Sequence, residues 1–547
     1  MKKRMRGIVI SVAAALCLWG CKGEEAEKYV LDLSLDAEIS TLDAQAAVDS
    51  ASLEVIGATM EGLYRIDEEG NAAPAAAERE EISEDGLTRR YYLKETYWSD
   101  GSRVTADDFV YGFRRAADPS LANENAFLLE ISGIAESGPV SRGEAPLESL
   151  GVRAAGEDVL EITLDRPVPY FQSMMAFPLF FPARQEFVEE CGQDYATSPD
   201  TLLANGPYQI ASYEPSALSF TLEKNPFYGE ETGNVEEIRY QVVKDSQQSV
   251  LAFQDGILDI APLSGEQAQL WDGGREYHSY FLASLWYISP NQKVKGLENV
   301  NLRKALAMSI DKEAITGYIM RDGSAPADFA VPRGAGKGPQ GQDFRDDGKT
   351  WLEYDKLAAA SYWEQARKEL GLKDGEILTY TLLCEDTETA SLIAQFIQGE
   401  IQENLPGIAI EIERVPKKVR LSRMKEGDYD LGLVRWGADY EDPTAFLSMW
   451  TTDSPYNYGS WSDEEYDKRI GYAVSGFRRG EEEKRWEQMK EAEEIVMEQA
   501  AIFPICQKAN AYLISEEVTG MEFHPVGINR IFRNVSKKNV DRKNFSW

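Results

Sequence analysis

Apolar and polar positions alternate in KYVLDLSL, placing Tyr29, Leu31, Leu33 and Leu35 on one face; this period of two predicts a strand that opens the folded body. Further on, YYLKETYWSDGSRVTADDFVYGFRRA predicts a strand, an SDG turn and a helix whose Thr105 and Asp108 have capping-box spacing. Within residues 155 to 182, EDVLEITL and PYFQSMMAFPLFF are apolar enough for a core strand and a buried helix. Strands follow around 208–222 and 237–243, then the helix QQSVLAFQDGILDI and the apolar strand SYFLASLWYIS.

From residue 300 the pattern turns helical. NVNLRKALAMSIDKEAI sets Leu302, Ala305, Leu306 and Ser309 at helical spacing, with Asp311 placed to cap the next helix. Residues 325–350, rich in Gly, Pro and Asp, predict a long loop of the kind that a binding or hinge role explains. The stretch 377–436 is the most regular. ILTYTLLC is a strand; SLIAQFIQGEIQENL is a helix with Ile393, Phe396, Ile397, Glu400 and Ile401 in register; IAIEIERV and YDLGLVRW are strands. Strands alternating with helices predict an α/β fold with a mostly parallel sheet, in which ligands bind beyond the carboxyl ends of strands. Asp439, in LVRWGADYEDPTAF, stands at such an end. A long charged helix around 480–499 leads into AIFPICQKANAYLIS.

At 547 residues, 43% hydrophobic and 27% charged, the chain has an ordinary globular composition with room for roughly two to four domains. Its beginning is different. Lys2, Lys3, Arg4 and Arg6 precede GIVISVAAALCLWG, a run shaped like a signal-peptide core and short for a membrane span. The run ends in LWGC, which resembles the lipobox of bacterial lipoproteins. Residues 1–20 are then a signal, Cys21 is the lipidated amino terminus and 21–28 are a tether; the alternative is an ordinary secretory signal with an incidental cysteine. No other segment reads as a span, so the expected location is extracytoplasmic, with a membrane reached only through the lipid anchor.

The net charge of −36 becomes −40 once the four basic groups of residues 1–20 are removed. Such a field repels phosphates, which makes nucleic acid and anionic lipid surfaces poor partners and favours a cationic ligand. Cys191, Cys384 and Cys506 lack CxxC spacing, so neither a metal cluster nor a disulfide framework is expected, although one pair could bridge. His278 and His524 sit in no HExxH or GxSxG context and read as structural. DFRDDGKT is not a P-loop, because Asp343 stands where the first glycine is needed. Asp107 and Asp108, and the run Glu481, Glu482 and Glu483, fall at helix starts and in charge runs, where solvation and the helix dipole explain them. Nothing in these patterns supports catalysis, and no enzyme activity, cofactor or metal is expected.

Nine stretches in order resemble the extracytoplasmic solute-binding proteins of oligopeptide and dipeptide ABC importers: STLDAQ, MEGLYRIDEEGNAAPAAAE, WSDGSRVTADDFVYGFRR, TLDRPVPYF, NGPYQI, LEKNPFY, AFQDGILDI, NLRKALAMSIDKEAI and YDLGLVRWGADYEDPTAFL. Together they cover most of residues 29 to 515. The resemblance implies a two-lobed, hinged periplasmic-binding-protein fold of three domains. Domain I would comprise 29–62, 200–286 and 507–547; domain II would be the insert 63–199 in the same lobe; domain III, 287–506, would be the other lobe. Hinges would lie near Tyr287–Asn291 and Cys506–Asn510.

The same resemblance implies a peptide held as an added strand, its amino terminus paired with Asp439. Backbone partners would be Trp436, Gly437, Ala438 and Asp439 on one lobe and Val48, Asp49 and Ser50 on the other, after the Leu42-Asp43 corner. Trp436 would also wall a pocket, and Trp98 would pack beneath its turn. As a turn residue bonding its own backbone, Asp439 has an alternative role. Two positions depart from the pattern: Leu433 stands where relatives often carry an arginine, and Asn125 where they often carry a pocket tyrosine. Handling of the ligand carboxylate and pocket character should differ accordingly. The function implied is a monomeric receptor delivering peptides to an ABC permease with separate ATPase subunits. Alternatives are another cargo on the same fold (an oligosaccharide, an opine or a nickel chelate) or a peptide sensor without transport.

Overall fold

A computed structural model describes residues 28–538. Its dominant element is one sheet of 11 strands. In chain order these are β1 (Val30–Leu35), β2 (Tyr208–Ser212), β3 (Ser219–Lys224), β4 (Glu237–Val242), β5 (Ile260–Leu263), β6 (Tyr277–Pro290), β7 (Ala325–Pro326), β8 (Leu378–Glu385), β9 (Ile408–Val415), β10 (Leu431–Gly437) and β11 (Phe503–Ile514). Their lateral order is β9-β8-β10-β6-β11-β5-β1-β4-β3-β2, with β7 attached to β11.

The alternating pattern of β1 does what it predicts: Leu31 and Leu33 are fully buried, between parallel neighbours β4 and β5. On the other half of the sheet β8 runs parallel to both β9 and β10, and the helix Glu388–Asn404 returns the chain between β8 and β9. Ile393, Ile397 and Ile401 of that helix have no exposed surface. The sheet as a whole is mixed rather than mostly parallel. Strand β6 is antiparallel to both β10 and β11, and β3 to both β2 and β4. A period of two specifies a strand and its buried face, but not the direction of its neighbour.

Among the described residues, β6 and β11 alone link the two halves of the sheet, as a long antiparallel pair. Its register slips twice: Phe281 faces Ala509 and Leu285 faces Gln507, with 282–284 opposite the single residue between them, and Trp286 faces Cys506 while Tyr287 faces Pro504. An unpaired bulge is where a ladder bends most readily. The first slip adjoins Lys508 within 506–510 and the second falls at Tyr287, the start of Tyr287–Asn291, which stays paired with β10 on its other edge through Pro290.

A separate antiparallel sheet is built from the strands Ala77–Ile82, Thr88–Leu93, Val159–Thr163 and Val152–Gly156, in that lateral order. Across it lies the helix Ala106–Ala117, with Phe109 and Phe113 fully buried. The Asp108 carboxylate accepts from the Thr105 amide at 2.8 Å and from the Trp98 indole at 3.3 Å. One side chain thus closes the capping box and holds Trp98, 1% exposed, beneath the SDG turn. PYFQSMMAFPLFF, expected as one buried helix, is buried but divided: a turn of helix at Phe171–Met174 and a 3₁₀ turn at Pro178–Phe180. Pro178 cannot donate within a continuing helix.

Candidate ligand-binding cleft

The parallel arrangement of β8, β9 and β10 brings their carboxyl ends to one side of the sheet. Leu431 to Val434 are buried, and the strand then surfaces at Arg435. On one edge β10 stays paired with β6 through Gly437; on the other its ladder with β8 ends at Gly432. Beyond that point the second edge has no strand partner among the described residues.

A cleft of about 550 Å³ opens where the halves of the sheet meet. It is lined by Val48, Ser50 and Asn125 on one side, by Lys417 and Arg435 to Asp439 on the other, and by Leu282, Ala283, Ser284 and Lys508 at the register slip. Seven of the eight expected ligand-binding positions line it: Val48, Ser50, Asn125, Trp436, Gly437, Ala438 and Asp439. Asp49 does not. Its carboxylate caps the helix Ser50–Thr59, accepting from the Ser52 amide at 2.9 Å and the Ser52 hydroxyl at 2.8 Å. Asn125 donates to the Ala47 carbonyl at 3.1 Å, tying together the two segments of its wall.

Trp436 is half-buried, donates to the Ala445 carbonyl at 3.1 Å and packs against Tyr456, ring centres 5.0 Å apart. It is strand-end core and cleft wall at once. At Gly437 a Cβ would meet nothing nearer than 3.8 Å, so packing does not demand glycine there; its bare backbone lies open to the cleft.

Asp439 is half-buried, and its carboxylate has no hydrogen bond or ion pair among the described residues. Burial pushes its pKa up to about 6. The main chain in front of it is fixed by the Ala438 amide, which donates to Ala283 at 2.8 Å. The turn-forming role belongs instead to Asp442, which accepts from the Thr444 amide at 3.0 Å and pairs with Arg485 at 2.8 and 2.9 Å.

Asp439 also lines a second cavity, about 490 Å³, with Tyr64, Met174, Phe177 and Phe181 among its apolar walls and Glu61, Glu441 and Glu522 among its acids. Glu441 is pushed up to about 7 by burial, against the pull of Lys337. The two halves of the molecule meet over this region. Tyr440 stacks on Tyr170 at 4.8 Å, Lys337 of the long loop donates to Asn71 at 3.0 Å, and Arg479 donates to the Ser83 carbonyl at 3.0 Å. His524, also at this cavity, is buried and held down to about 4, so it is neutral at physiological pH.

Sequence reasoning missed the cations of the cleft. Lys508 pairs with Asp322, and Arg530 with Glu54. Lys417 and Arg435 are exposed and have no ion pair among the described residues. The available signal was the position of Arg435 directly before Trp436 in a chain otherwise crowded with acids. Among the described residues no group of His, Cys, Asp and Glu could hold a metal ion, and Cys191, Cys384 and Cys506 are all free thiols. No helix of the described residues is long and apolar enough to cross a membrane.

Two sheet halves joined by two strands, with a ligand-sized cleft at the junction, define a two-lobed α/β binding protein. The family of bacterial extracellular solute-binding proteins, family 5 (middle region), matches residues 71–458, and the chain belongs to that family. It is 32% identical to a dipeptide-binding protein of Lactococcus lactis subsp. cremoris over 96% of this chain and 98% of that one. Among solved structures, it is 34% identical to the Listeria monocytogenes protein OppA bound to peptide, with a TM-score of 0.75, covering 94% of this chain and 100% of that one. It is also 30% identical to the pheromone receptor PrgZ, with a TM-score of 0.75 and coverage of 94% and 100%. The fold is thus the two-lobed, three-domain solute-binding architecture.

Proposed function

We propose that the chain is an extracytoplasmic receptor that binds short peptides between its lobes and delivers them to an ABC permease driven by separate ATPase subunits. The observation that carries this reading is Asp439: a desolvated carboxylate without a partner, at the end of a strand whose free edge lines the cleft. Leaving such a group unpaired is costly, and an ammonium entering the cleft removes that cost while exchanging its own water for a fixed charge. A peptide laid along β10 as an extra strand would bond the main chain that the open edge of the strand presents around Gly437, without reading its own sequence. That accords with relatives named for dipeptides and for peptide-bound OppA.

The three-domain division of 29–62 with 200–286 and 507–547, then 63–199, then 287–506, belongs to this reading, with hinge bending at the bulge of 282–284 against Lys508. So do a monomeric state and a lipid anchor at Cys21, which with residues 1–20 lies outside the described residues. A peptide sensor without transport is the second reading, favoured by the similarity to a pheromone receptor. The test of peptide binding is calorimetric titration of tetraalanine and N-acetyl-tetraalanine. Binding of the free amine and loss of binding on acetylation are expected; equal affinities would overturn the role of Asp439.

A further inference from the structure

The second cavity, about 490 Å³, shares Asp439 with the cleft but is otherwise lined almost entirely by different residues. Its apolar walls include Met174, Phe177, Phe181 and Ile528, which suit a long aliphatic stem. The charges set into those walls are unequal. Its three strong bases are all engaged: Arg65, Lys94 and Arg533 each pair with Glu230, at 2.7, 2.7 and 2.9 Å, and Arg65 also lies 3.3 Å from Glu61. Among the other acids, Glu68 and Glu69 are exposed, Asp67 accepts from the amides of Glu69 and Asn71, and Glu522 accepts from Asn534 at 2.7 Å. Asp439 and Glu441, both half-buried, have no hydrogen bond or ion pair among the described residues. Lys337 acts on Glu441 from the long loop, yet its ammonium donates to the Glu69 carbonyl and to Asn71, and burial still raises Glu441 to about 7. His524 is neutral and adds no opposing charge.

We propose that this cavity receives the side chain of the ligand's first residue and favours a basic one, lysine or arginine, with Glu441 as the group that pairs with its cation. This rests on the peptide-receptor reading above and adds a preference to a site whose main-chain bonding has none. The placement follows from Asp439, which lines both spaces. A peptide whose ammonium meets Asp439 sends its main chain along β10 into the cleft, and the side chain on the same carbon is the group next to the second cavity. Asp439 and Glu441 are two residues apart, at most about 7 Å of chain. Tyr440 between them is buried, stacked on Tyr170 at 4.8 Å and bonded to the Thr444 hydroxyl at 3.2 Å, which fixes the turn that presents both carboxylates. A lysine or arginine at the amino terminus carries two cations on one residue and so matches two unpaired carboxylates held on one turn. Its stem would lie against Met174 and Phe177 while its head remains among the acids. An apolar side chain of equal length would fill the same walls and leave Glu441 desolvated without a partner.

The test is calorimetric titration of lysyl-trialanine, norleucyl-trialanine and N-acetyl-lysyl-trialanine into the whole protein and its Glu441→Gln variant. Norleucine keeps the length of the lysine stem and lacks the ammonium. Glu441 has no partner to lose, so the thermal midpoint of the variant should not fall, and the wild-type comparison needs no variant at all. The expected results are that the wild type binds the lysyl peptide about tenfold more tightly than the norleucyl peptide, and that Glu441→Gln binds the two alike. Equal binding of the two by the wild type, tighter binding of the norleucyl peptide, or an unchanged ratio in Glu441→Gln would overturn the proposal while leaving the Asp439 reading intact. Equal binding of the free and acetylated lysyl peptides would overturn the Asp439 reading on which it rests. No binding of any member would overturn both.

Discussion

Asp439 and Asp442 lie three residues apart in one turn and are opposites. Asp442 is 5% exposed, receives both guanidinium nitrogens of Arg485 and holds the start of the helix Thr444–Leu447. Asp439 is half-buried, has no partner among the described residues, and stands between two cavities. One carboxylate is spent on structure; the other is held ready by structure. Position relative to a strand end, and not residue type, decides which is which.

The contrast breaks most severely at Asp442. Asp442→Ala would leave Arg485 buried and unpaired, at a cost of about 3–5 kcal/mol, read as a large fall in the thermal unfolding midpoint. Asp439→Asn should act the other way round. Its affinity for a free-amine peptide should fall about a hundredfold, measured by calorimetry, because a charged partner of the ammonium has been removed.

The effect of Asp439 on stability has a definite sign. Burial raises its pKa to about 6, above that of the unfolded chain, so the folded state holds the proton more tightly. Ligand-free stability from this group is complete at low pH and is lost as pH rises through about 6. At pH 7 Asp439→Asn should therefore stabilise the empty protein by about 1 kcal/mol, after discounting for the group's partial exposure, as denaturant unfolding at pH 4 and pH 7 would show. Peptide affinity should move oppositely, weakening up to tenfold per pH unit below about 6 in the wild type and staying flat in the variant. The smallest effect is expected at Asp49. Removing this helix cap with Asp49→Ala should cost about 1 kcal/mol of stability and leave peptide affinity within a factor of two or so.

Much of this architecture is legible in local pattern. The repeat of β8, helix, β9 and β10 follows from apolar periodicity, and the caps at Thr105 and Asp311 from spacing alone. Asp439 stands out because a strand visibly ends just before it. The rest depends on contacts distant in sequence. Nothing near Asp442 announces Arg485, forty-three positions away, so the two carboxylates of the turn look alike until the chain is folded. Nor does a strand pattern reveal that β8 leaves β10 at Gly432, which creates the free edge. Lys417 and Arg435 read as ordinary surface charges until every other cation of the cleft is seen to be neutralised within the fold.

The most direct measurement is native mass spectrometry of the protein as purified, followed by release and sequencing of whatever occupies the cleft. The predicted result is a family of short peptides of varied sequence, all with free amino termini. A single non-peptide mass, or peptides blocked at the amino terminus, would contradict a cleft built around Asp439.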